Sequence, residues 1–311
     1  MKIVFWGTPD FSIPALRALG EEGHDVVAVV TRPDRPAGRG REVHFSPVKE
    51  EALAEGIPVL QPERARGDDF LARLRSFDPD LSVVVAYGQI LRPEVLDLPR
   101  LGSVNIHASL LPELRGAAPV QWAIIRGLEM TGVTIMRMDA GLDSGPMLLR
   151  VEEPIEPEEA GCELAGRLAE IGAEALVEAL ALLEDGQLVQ EPQDHGRATY
   201  APKLDRASAR LDWTRPAAEL ALWIRGLDDV PGAWSPLGAR GPVKLFRPRV
   251  EGGAGEPGTV LAADEEGVLV AAGEGAVRVR EVQPPGKRRM GAGEWVRGRG
   301  VAVGDRFGLE G

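Results

Sequence analysis

Cysteine is nearly absent from this chain, since Cys162 is the only one among 311 residues. A single thiol excludes disulfides within the chain and clusters of thiolate metal ligands. Histidine is also scarce, and His24, His44, His107 and His195 are scattered without the spacing of metal ligands. We therefore expect no bound metal.

Long apolar runs are missing as well. No stretch approaches the roughly 18 to 20 apolar residues of a membrane span, and the N-terminal residues lack the pattern of a signal peptide. We therefore expect a cytoplasmic protein that does not bind a membrane. With 44% hydrophobic and 27% charged residues, the composition is that of an ordinary globular protein, and 311 residues leave room for two domains.

The net charge of −12 argues against a nucleic-acid partner, but the charge is unevenly distributed. Residues 1–205 carry 20 Lys and Arg against 34 Asp and Glu, whereas residues 206–311 carry 16 against 14. Within the acidic part, residues 32–41 hold four arginines among glycines and prolines, a composition that precludes a regular helix or central strand. By composition alone this is a solvated loop, yet a local basic patch can bind phosphates whatever the total charge.

Short apolar runs alternate with helical segments in the first part of the chain. Strands are predicted over 2–6, 26–31 and 81–86, and helices over 14–22 and 48–55. This alternation predicts an α/β fold with a Rossmann-like parallel sheet. The turn after the first strand contains Pro9, where the dinucleotide fingerprint needs a permissive backbone, so a nicotinamide cofactor is disfavoured.

The last hundred residues have a different pattern. A long helix predicted over 158–183 closes the first part, and the polar segment that follows has no strong periodicity. After a helix predicted over 217–226, short strands recur about every ten residues with glycine-containing turns between them. We therefore predict a Rossmann-like domain over 1–186, a linker over 187–205 and an OB-like β-barrel domain over 206–311.

Three polar residues mark a candidate site. Residues 102–107 are predicted to form a strand whose alternation places Asn105 and His107 on one face, and Asp143 follows a strand predicted over 131–138. Taken singly, they fit a turn cap, a core histidine and a turn aspartate. Together they lie where α/β folds bind ligands, at the carboxyl ends of strands. An amide donor, an imidazole and a carboxylate are the groups that acyl transfer to an amine requires.

Motifs along nearly the whole chain carry a family resemblance. They are Val4 to Phe11, Arg32 to Arg41, Ser46 to Lys49, Ala86 to Leu91, Asn105 to Pro112, Arg115 to Pro119, Thr131 to Thr134, Leu142 to Gly145, Tyr200 to Lys203, Pro231 to Trp234 and Gln283 to Lys287. On these residues the chain resembles the methionyl-tRNA formyltransferase family. The Asn-x-His block with its distant Asp is shared by several enzymes that use formyl-tetrahydrofolate, so by itself it indicates that broader group. The arginine loop, residues 32–41, and the second domain narrow the resemblance to the methionyl-tRNA formyltransferases. The chain departs from the family pattern at Glu113, where relatives often carry a basic residue, and at 227–230, where an aromatic-containing stretch is usual.

The resemblance implies a reaction and its substrates. The enzyme would transfer the formyl group of 10-formyltetrahydrofolate to the α-amino group of methionyl initiator tRNA, and nothing in the sequence demands more than a monomer. Asn105 and His107 would donate hydrogen bonds to the developing oxyanion, while Asp143 would orient His107 and help to relay the amine proton.

The resemblance also implies two sets of binding residues. Those implied for folate are Tyr87, Gly88, Ile90, Leu91, Ser109, Leu110, Leu111, Pro112 and Asp139. Those implied for tRNA are Arg35, Arg39, Arg41, Lys203, Lys244, Lys287 and Arg288. Two alternatives remain open from the residues: a formyltransferase of the same core that acts on an amino sugar or another small amine, and a non-catalytic folate-binding or RNA-binding module.

Overall fold

The computed structural model describes residues 1–37 and 42–309. Packing divides these residues into two compact units, which are described separately. The first unit comprises residues 1–119, 130–154 and 165–201, and the second comprises residues 120–129, 155–164 and the described residues from 202 onward. The sequence-based limits of 186 for the first domain and 206 for the second stay a prediction.

A seven-stranded sheet forms the centre of the first unit. Its strands, in spatial order, are β5 (Val59–Leu60), β2 (Asp25–Val30), β1 (Lys2–Gly7), β6 (Leu81–Val85), β7 (Ser103–His107), β8 (Met130–Arg137) and β9 (Met147–Pro154). The strands from β5 to β7 are parallel. The central strands β1 and β6 are buried almost throughout, as expected of strands covered on both faces.

The predicted α/β architecture is confirmed, with one correction to the sheet. β8 runs antiparallel to β7, and β9 runs antiparallel to β8, so the sheet is mixed and not wholly parallel. The glycine-containing loop of residues 138–146 reverses the chain between β8 and β9, so this pair is antiparallel. The apolar pattern of a strand carries no information about its direction, which explains why the sequence did not predict this arrangement.

The predicted helices lie within a few residues of observed ones. The helices up to residue 184 are α1 (Ile13–Glu21), α2 (Pro47–Ala54), α3 (Asp68–Arg75), α4 (Pro93–Leu96), α5 (Pro119–Ile125) and α6 (Gly161–Glu184). In α6, Gly172 faces β7 so closely that a Cβ atom there would lie 2.8 Å from Ile106. This glycine lets the helix approach the strand that carries Asn105 and His107. No helix within residues 1–37 or 42–309 is long and apolar enough to cross a membrane.

Residues 35–44 include a separate two-stranded ribbon. β3 (Arg35–Ala37) and β4 (Glu42–His44) pair antiparallel with each other. They are not part of the seven-stranded sheet. The predicted absence of a regular helix or central strand therefore holds for the described residues of this stretch, while Gly38–Arg41 lie outside them.

The second unit contains a separate antiparallel sheet, as predicted. Its strands are β10 (Trp234–Pro236), β11 (Pro242–Glu251), β12 (Val260–Asp264), β13 (Gly267–Ala271), β14 (Ala276–Gln283) and β15 (Met290–Gly291), with the helices α7 (Ala217–Gly226) and α8 (Ala292–Arg297). The unit has its own apolar core, in which Trp213 packs against Phe307 with ring centroids 5.7 Å apart. Burial of such large rings is a main source of the stability of a small β domain.

Candidate active site

Strand β7 positions two of the three candidate residues. All five of its residues are buried between β6 and β8. Asn105 pairs with Met136 and His107 with Thr134 of β8. Because side chains alternate along a strand, the two polar side chains lie on the same face of the sheet.

Asn105 is nearly buried and is available to a ligand. It is 9% exposed, and its side-chain amide makes no hydrogen bond to any other residue in the described ranges. Its amide atoms are not among the fully buried polar atoms of the described chain that lack a partner, so the amide reaches solvent and is open to a ligand. Asn105 is also the only asparagine in the sequence.

The protonation of His107 follows from its surroundings. Its Nε2 atom lies 3.0 Å from the carbonyl oxygen of Leu114. A carbonyl oxygen only accepts hydrogen bonds, so Nε2 carries a proton and Nδ1 is the basic nitrogen of the neutral ring. This Nδ1 atom lies 3.8 Å from Oδ2 of Asp143, within range of an ion pair but beyond a hydrogen bond.

Asp143 is held by its backbone and by its carboxylate. Its φ of 48° lies in the left-handed region, which non-glycine residues seldom adopt. The carboxylate Oδ2 accepts a hydrogen bond from the backbone N–H of Gly116 at 2.8 Å. Its backbone carbonyl accepts a second one from Nε2 of Gln193 at 2.9 Å.

A short segment, residues 114–116, contacts two of the three candidate catalytic side chains. Leu114 accepts from His107, and Gly116 donates to Asp143. Gly116 has a φ of 117°, and a Cβ atom there would lie 2.8 Å from the carbonyl oxygen of Ala201. Only glycine fits this position, because any side chain would displace the backbone of residues 199–201.

The polar segment after α6 supports this arrangement. The backbone of Arg115 pairs with residues 199 and 201 through hydrogen bonds of 2.9 and 2.7 Å. The Arg115 guanidinium donates to Oε1 of Gln193 from Nε and Nη2 at 3.0 and 2.6 Å. Sequence reasoning assigned no role to Gln193, which falls within the predicted linker. The motif Arg115 to Pro119, which carries part of the family resemblance, is the sequence signal that could have indicated a role for the partners of Arg115.

Three of the predicted folate-binding side chains belong to the apolar interior. Tyr87 and Leu91 are buried in one core cluster and Leu111 in another. The Tyr87 ring packs edge-on against Trp6 with centroids 5.2 Å apart, and its hydroxyl has no hydrogen-bond partner in the described part of the chain. Burial raises the pKa of Tyr87 to about 12 and keeps this hydroxyl protonated at neutral pH.

The other predicted folate residues lie in loops at the edge of the sheet. The Ile90 side chain is 88% exposed, and Gly88 beside it has a φ of 82°. Leu110 lies beside Gly132, and Pro112 follows it on the same loop. The Ser109 hydroxyl donates to the carbonyl oxygen of Glu113 at 2.6 Å.

Asp139 organises the loop that contains Asp143. Its Oδ1 atom accepts from the backbone N–H of Gly141 and from the Ser144 hydroxyl, both at 2.9 Å. Local hydrogen bonds of this kind are typical of turn-forming aspartates. The visible contacts of Asp139 are therefore structural, and its contact with folate stays a prediction.

Of the predicted tRNA-binding residues of the first unit, the structure describes Arg35 alone. Arg35 is exposed in β3, whereas Arg39 and Arg41 lie outside the described residues. The start of the ribbon is anchored at Asp34, whose carboxylate accepts hydrogen bonds from Nζ of Lys49 at 2.5 Å and Nε2 of Gln61 at 2.8 Å. The hydrogen bond from Lys49 lowers the pKa of Asp34, so this anchor is ionised at neutral pH.

The predicted tRNA-binding residues of the second unit lie largely at its surface. Lys203, Lys287 and Arg288 are exposed, and Lys244 is half-buried opposite Trp234. The structure does not place these cations and the catalytic candidates in one packed unit, since the latter belong to the first unit. Their role in binding RNA stays a prediction.

Both departures from the family pattern have ionic partners. The Glu113 carboxylate lies 3.8 Å from the Arg197 guanidinium, and both side chains are exposed. Within residues 227–230, the Asp228 side chain is only 1% exposed and accepts two hydrogen bonds from Arg289 at 2.6 and 3.0 Å. Asp228 thus binds the one residue of the cluster 287–289 that is not exposed.

Comparison with known proteins gives the family of this chain. A family model described as formyl transferase matches residues 1–180, and a model of the formyl transferase C-terminal domain matches residues 203–300. The methionyl-tRNA formyltransferase of Symbiobacterium thermophilum is 52% identical over 99% of this chain and 95% of its own length. The chain belongs to the methionyl-tRNA formyltransferase family. The enzyme of that name from Aromatoleum aromaticum is 49% identical over 99% of this chain and 97% of its own length.

Solved structures share the fold of this formyltransferase. HypX from Aquifex aeolicus in complex with tetrahydrofolic acid has a TM-score of 0.65 and 20% identity over 95% of this chain. The match covers 47% of the HypX chain, so this chain spans about half its length. WlaRD, a sugar 3N-formyl transferase, has a TM-score of 0.64 and 16% identity over 93% of this chain and 99% of its own. At these identities the likeness concerns the fold alone.

Proposed function

We propose that this formyltransferase transfers the formyl group of 10-formyltetrahydrofolate to the α-amino group of methionyl initiator tRNA. The observation that carries the proposal is the convergence of Asn105, His107 and Asp143 at the strand ends of a chain that is 52% identical to a methionyl-tRNA formyltransferase. Binding alone does not require an amide donor, a basic imidazole and a carboxylate together. A cytoplasmic location and action as a monomer are part of the proposal.

Asn105 serves the oxygen of the formyl group. The folate donor supplies a formyl carbon bonded to nitrogen, and attack by the amine turns the formyl oxygen into an oxyanion. The Asn105 amide is unpaired among the described residues and is fixed by a buried strand, so it donates a hydrogen bond to this oxygen without first losing a protein partner. Such preorganised donors stabilise the transition state more than the ground state.

His107 and Asp143 serve the amine nitrogen. As the new carbon–nitrogen bond forms, the amine gains positive charge and loses a proton, which Nδ1 of His107 accepts. This role replaces the oxyanion contact that the resemblance implied for His107, because the one N–H of its neutral ring is bound to the carbonyl oxygen of Leu114. The resulting imidazolium lies beside the Asp143 carboxylate, where opposite charges attract. The oxyanion then re-forms the carbonyl as the bond between the formyl carbon and the folate nitrogen breaks, and the departing nitrogen takes up the proton of the imidazolium, which returns His107 to its neutral form.

We also propose which residues bind the folate and the tRNA. The folate pterin lies along the loops that contain Gly88, Ile90, Ser109 to Pro112 and Asp139, and the buried Tyr87, Leu91 and Leu111 support these loops. Flat, polar-edged rings suit backbone donors and acceptors on rigid loops. Arg35, Arg39 and Arg41, together with Lys203, Lys244, Lys287 and Arg288, contact the phosphates of the tRNA.

The test is single-turnover formyl transfer from labelled 10-formyltetrahydrofolate. Methionyl initiator tRNA, methionyl elongator tRNA and free methionine are compared as acceptors at equal concentration. We expect rapid labelling of the initiator tRNA alone.

Labelling of none of these acceptors, with folate still bound, would contradict the tRNA substrate but not formyl transfer. Amino-sugar nucleotides and other small amines would then be assayed with the same donor.

A further inference from the structure

Gln193 occupies a central position behind the candidate active site. It lies beyond the end of α6 at Glu184, in a stretch without regular structure, yet it is only 6% exposed. Its side chain contacts Arg115 on one side and the loop of Asp143 on the other. A buried polar side chain that binds two parts of a site can fix their positions relative to each other.

We propose that Gln193 is a positioning residue for Asp143, so that the pair Arg115 and Gln193 holds the loop that supplies the carboxylate of the active site. The inference rests on the proposed function, because it gives Gln193 a task only if Asp143 takes part in formyl transfer. Gln193 itself touches no reacting atom, and it acts through the backbone of the loop that contains Asp143.

The hydrogen bonds of Gln193 use the full capacity of its amide. Nε2 donates to the carbonyl oxygens of Asp143 at 2.9 Å and Gly145 at 2.7 Å. Oε1 accepts both hydrogen bonds from Arg115. An amide has two N–H donors and an oxygen with two lone pairs, so every site is occupied. A carboxylate lacks the donors and an ammonium lacks the acceptor, so neither could replace this side chain.

The loop needs such a support. Asp143 has a left-handed backbone, and its neighbours Gly141 and Leu142 are exposed. Arg115 and Gly116 are adjacent in sequence: the Arg115 side chain reaches the Asp143 backbone through Gln193, and the Gly116 N–H binds the Asp143 carboxylate. One short segment of chain therefore sets both the position of Asp143 and the direction of its carboxylate.

A purely structural role for Gln193 makes a different prediction from a positioning role. If Gln193 only accepts the hydrogen bonds of the buried Arg115, any acceptor at this position preserves activity. Gln193→Glu separates the two roles, because its carboxylate still accepts from Arg115 but places an oxygen against the carbonyl oxygens of Asp143 and Gly145. Electrostatic repulsion then displaces the loop while the partner of Arg115 is kept.

We expect Gln193→Glu to lower single-turnover formyl transfer roughly 10- to 100-fold, because small misplacements of a catalytic group have effects of this size. The KM values for folate and for tRNA should stay within about threefold, since the loop displacement acts on the chemical step. Gln190→Glu is the matched control: it makes the same charge change a few residues earlier, at an exposed position, and should leave turnover unchanged.

A double-mutant cycle with Asp143→Asn identifies the residue through which Gln193 acts. If Gln193 works through Asp143, Gln193→Glu should have little further effect once the carboxylate is gone. Unchanged turnover in Gln193→Glu, or losses that multiply in the double variant, would overturn the proposal. If Gln193→Glu folds poorly, the variant Arg115→Met with Gln193→Leu removes the polar pair as a unit, and the same cycle is measured on it.

Failure of this inference is distinguishable from failure of the proposed function. The wild-type acceptor assay tests the function, and the ratio of variant to wild-type rates tests Gln193. If the wild type formylates a different amine, the same ratios measured on that amine still support or overturn the role of Gln193.

Discussion

The two units present their polar residues in opposite ways. In the first unit, Asn105 and His107 are buried, and Asp143 is held by the backbone N–H of Gly116 and the side-chain amide of Gln193. In the second unit, Lys287 and Arg288 extend into solvent. Buried polar groups interact strongly and depend on specific partners, whereas exposed cations interact weakly and in a salt-dependent way. Substitutions should therefore have large, specific effects in the first unit and small, graded effects in the second.

The largest effect is expected for Asp143→Asn. The amide oxygen can still accept from Gly116, so the loop geometry is kept, but the group no longer carries the negative charge that stabilises an imidazolium. We expect single-turnover transfer to fall roughly 10³-fold, within the range for loss of general acid–base catalysis. The measurement is the rate across the working pH range, and a near-normal rate would refute the role of the carboxylate.

Asn105→Ala should have the next largest effect. Loss of one oxyanion donor typically lowers turnover roughly 10²- to 10³-fold. Because the amide has no partner in the described chain, its removal should change the thermal midpoint little. Turnover and thermal melting are measured together, and a stable variant with unaltered turnover would show that the oxyanion is bound elsewhere.

Arg289→Met tests whether neighbouring cations in the second unit differ in their contribution to the free energy of unfolding. It leaves the buried Asp228 carboxylate without its main partner, and loss of one partner of a buried ion pair costs about 3 kcal/mol. Arg288→Met, at an exposed position, should change the free energy of unfolding by less than about 0.5 kcal/mol. Denaturant unfolding measures both variants, and equal values would contradict the division between a structural and a surface arginine.

Arg39→Ala probes the arginine loop of the first unit. We expect the KM for tRNA to rise several-fold while the KM for folate is unchanged, because the guanidinium is proposed to bind phosphate. Steady-state kinetics with each substrate varied in turn provides the measurement. Equal changes in both constants would count against a tRNA contact.

The smallest effect is expected for Lys287→Ala combined with Arg288→Ala. Each lost phosphate contact should lower the slope of log affinity against log salt by about 0.7 to 0.9. Binding of tRNA is titrated at several salt concentrations, with catalytic turnover at saturation as the control. A slope equal to that of the wild type would show that these two residues do not contact the tRNA phosphates.

Local sequence predicted those features that depend on short-range patterns. Alternation along 102–107 placed Asn105 and His107 on one face, and the apolar runs located the central strands. Helix α7 was predicted with the bounds that the structure has, at Ala217–Gly226. These features follow from the periods of strands and helices, which a chain carries within a few residues.

The direction of β8, the contacts of residues 114–116 and the ion pair of Arg289 were not predictable in this way. For residues 114–116 and for Arg289 the deciding partner is remote in sequence: Gly116 binds Asp143, Arg115 binds Gln193, and Arg289 binds Asp228. A polar segment such as 187–205 looks like a linker because periodicity reports on apolar packing and not on hydrogen bonds.

The sequence by itself therefore determined the fold class, the family and the chemical types of the candidate catalytic groups. Only the tertiary structure decided which nitrogen of His107 is basic, how Asp143 is held and which arginine of the cluster 287–289 is exposed. The physical reason is that residue type sets what a side chain can donate, accept or carry, whereas its partners are set by long-range packing.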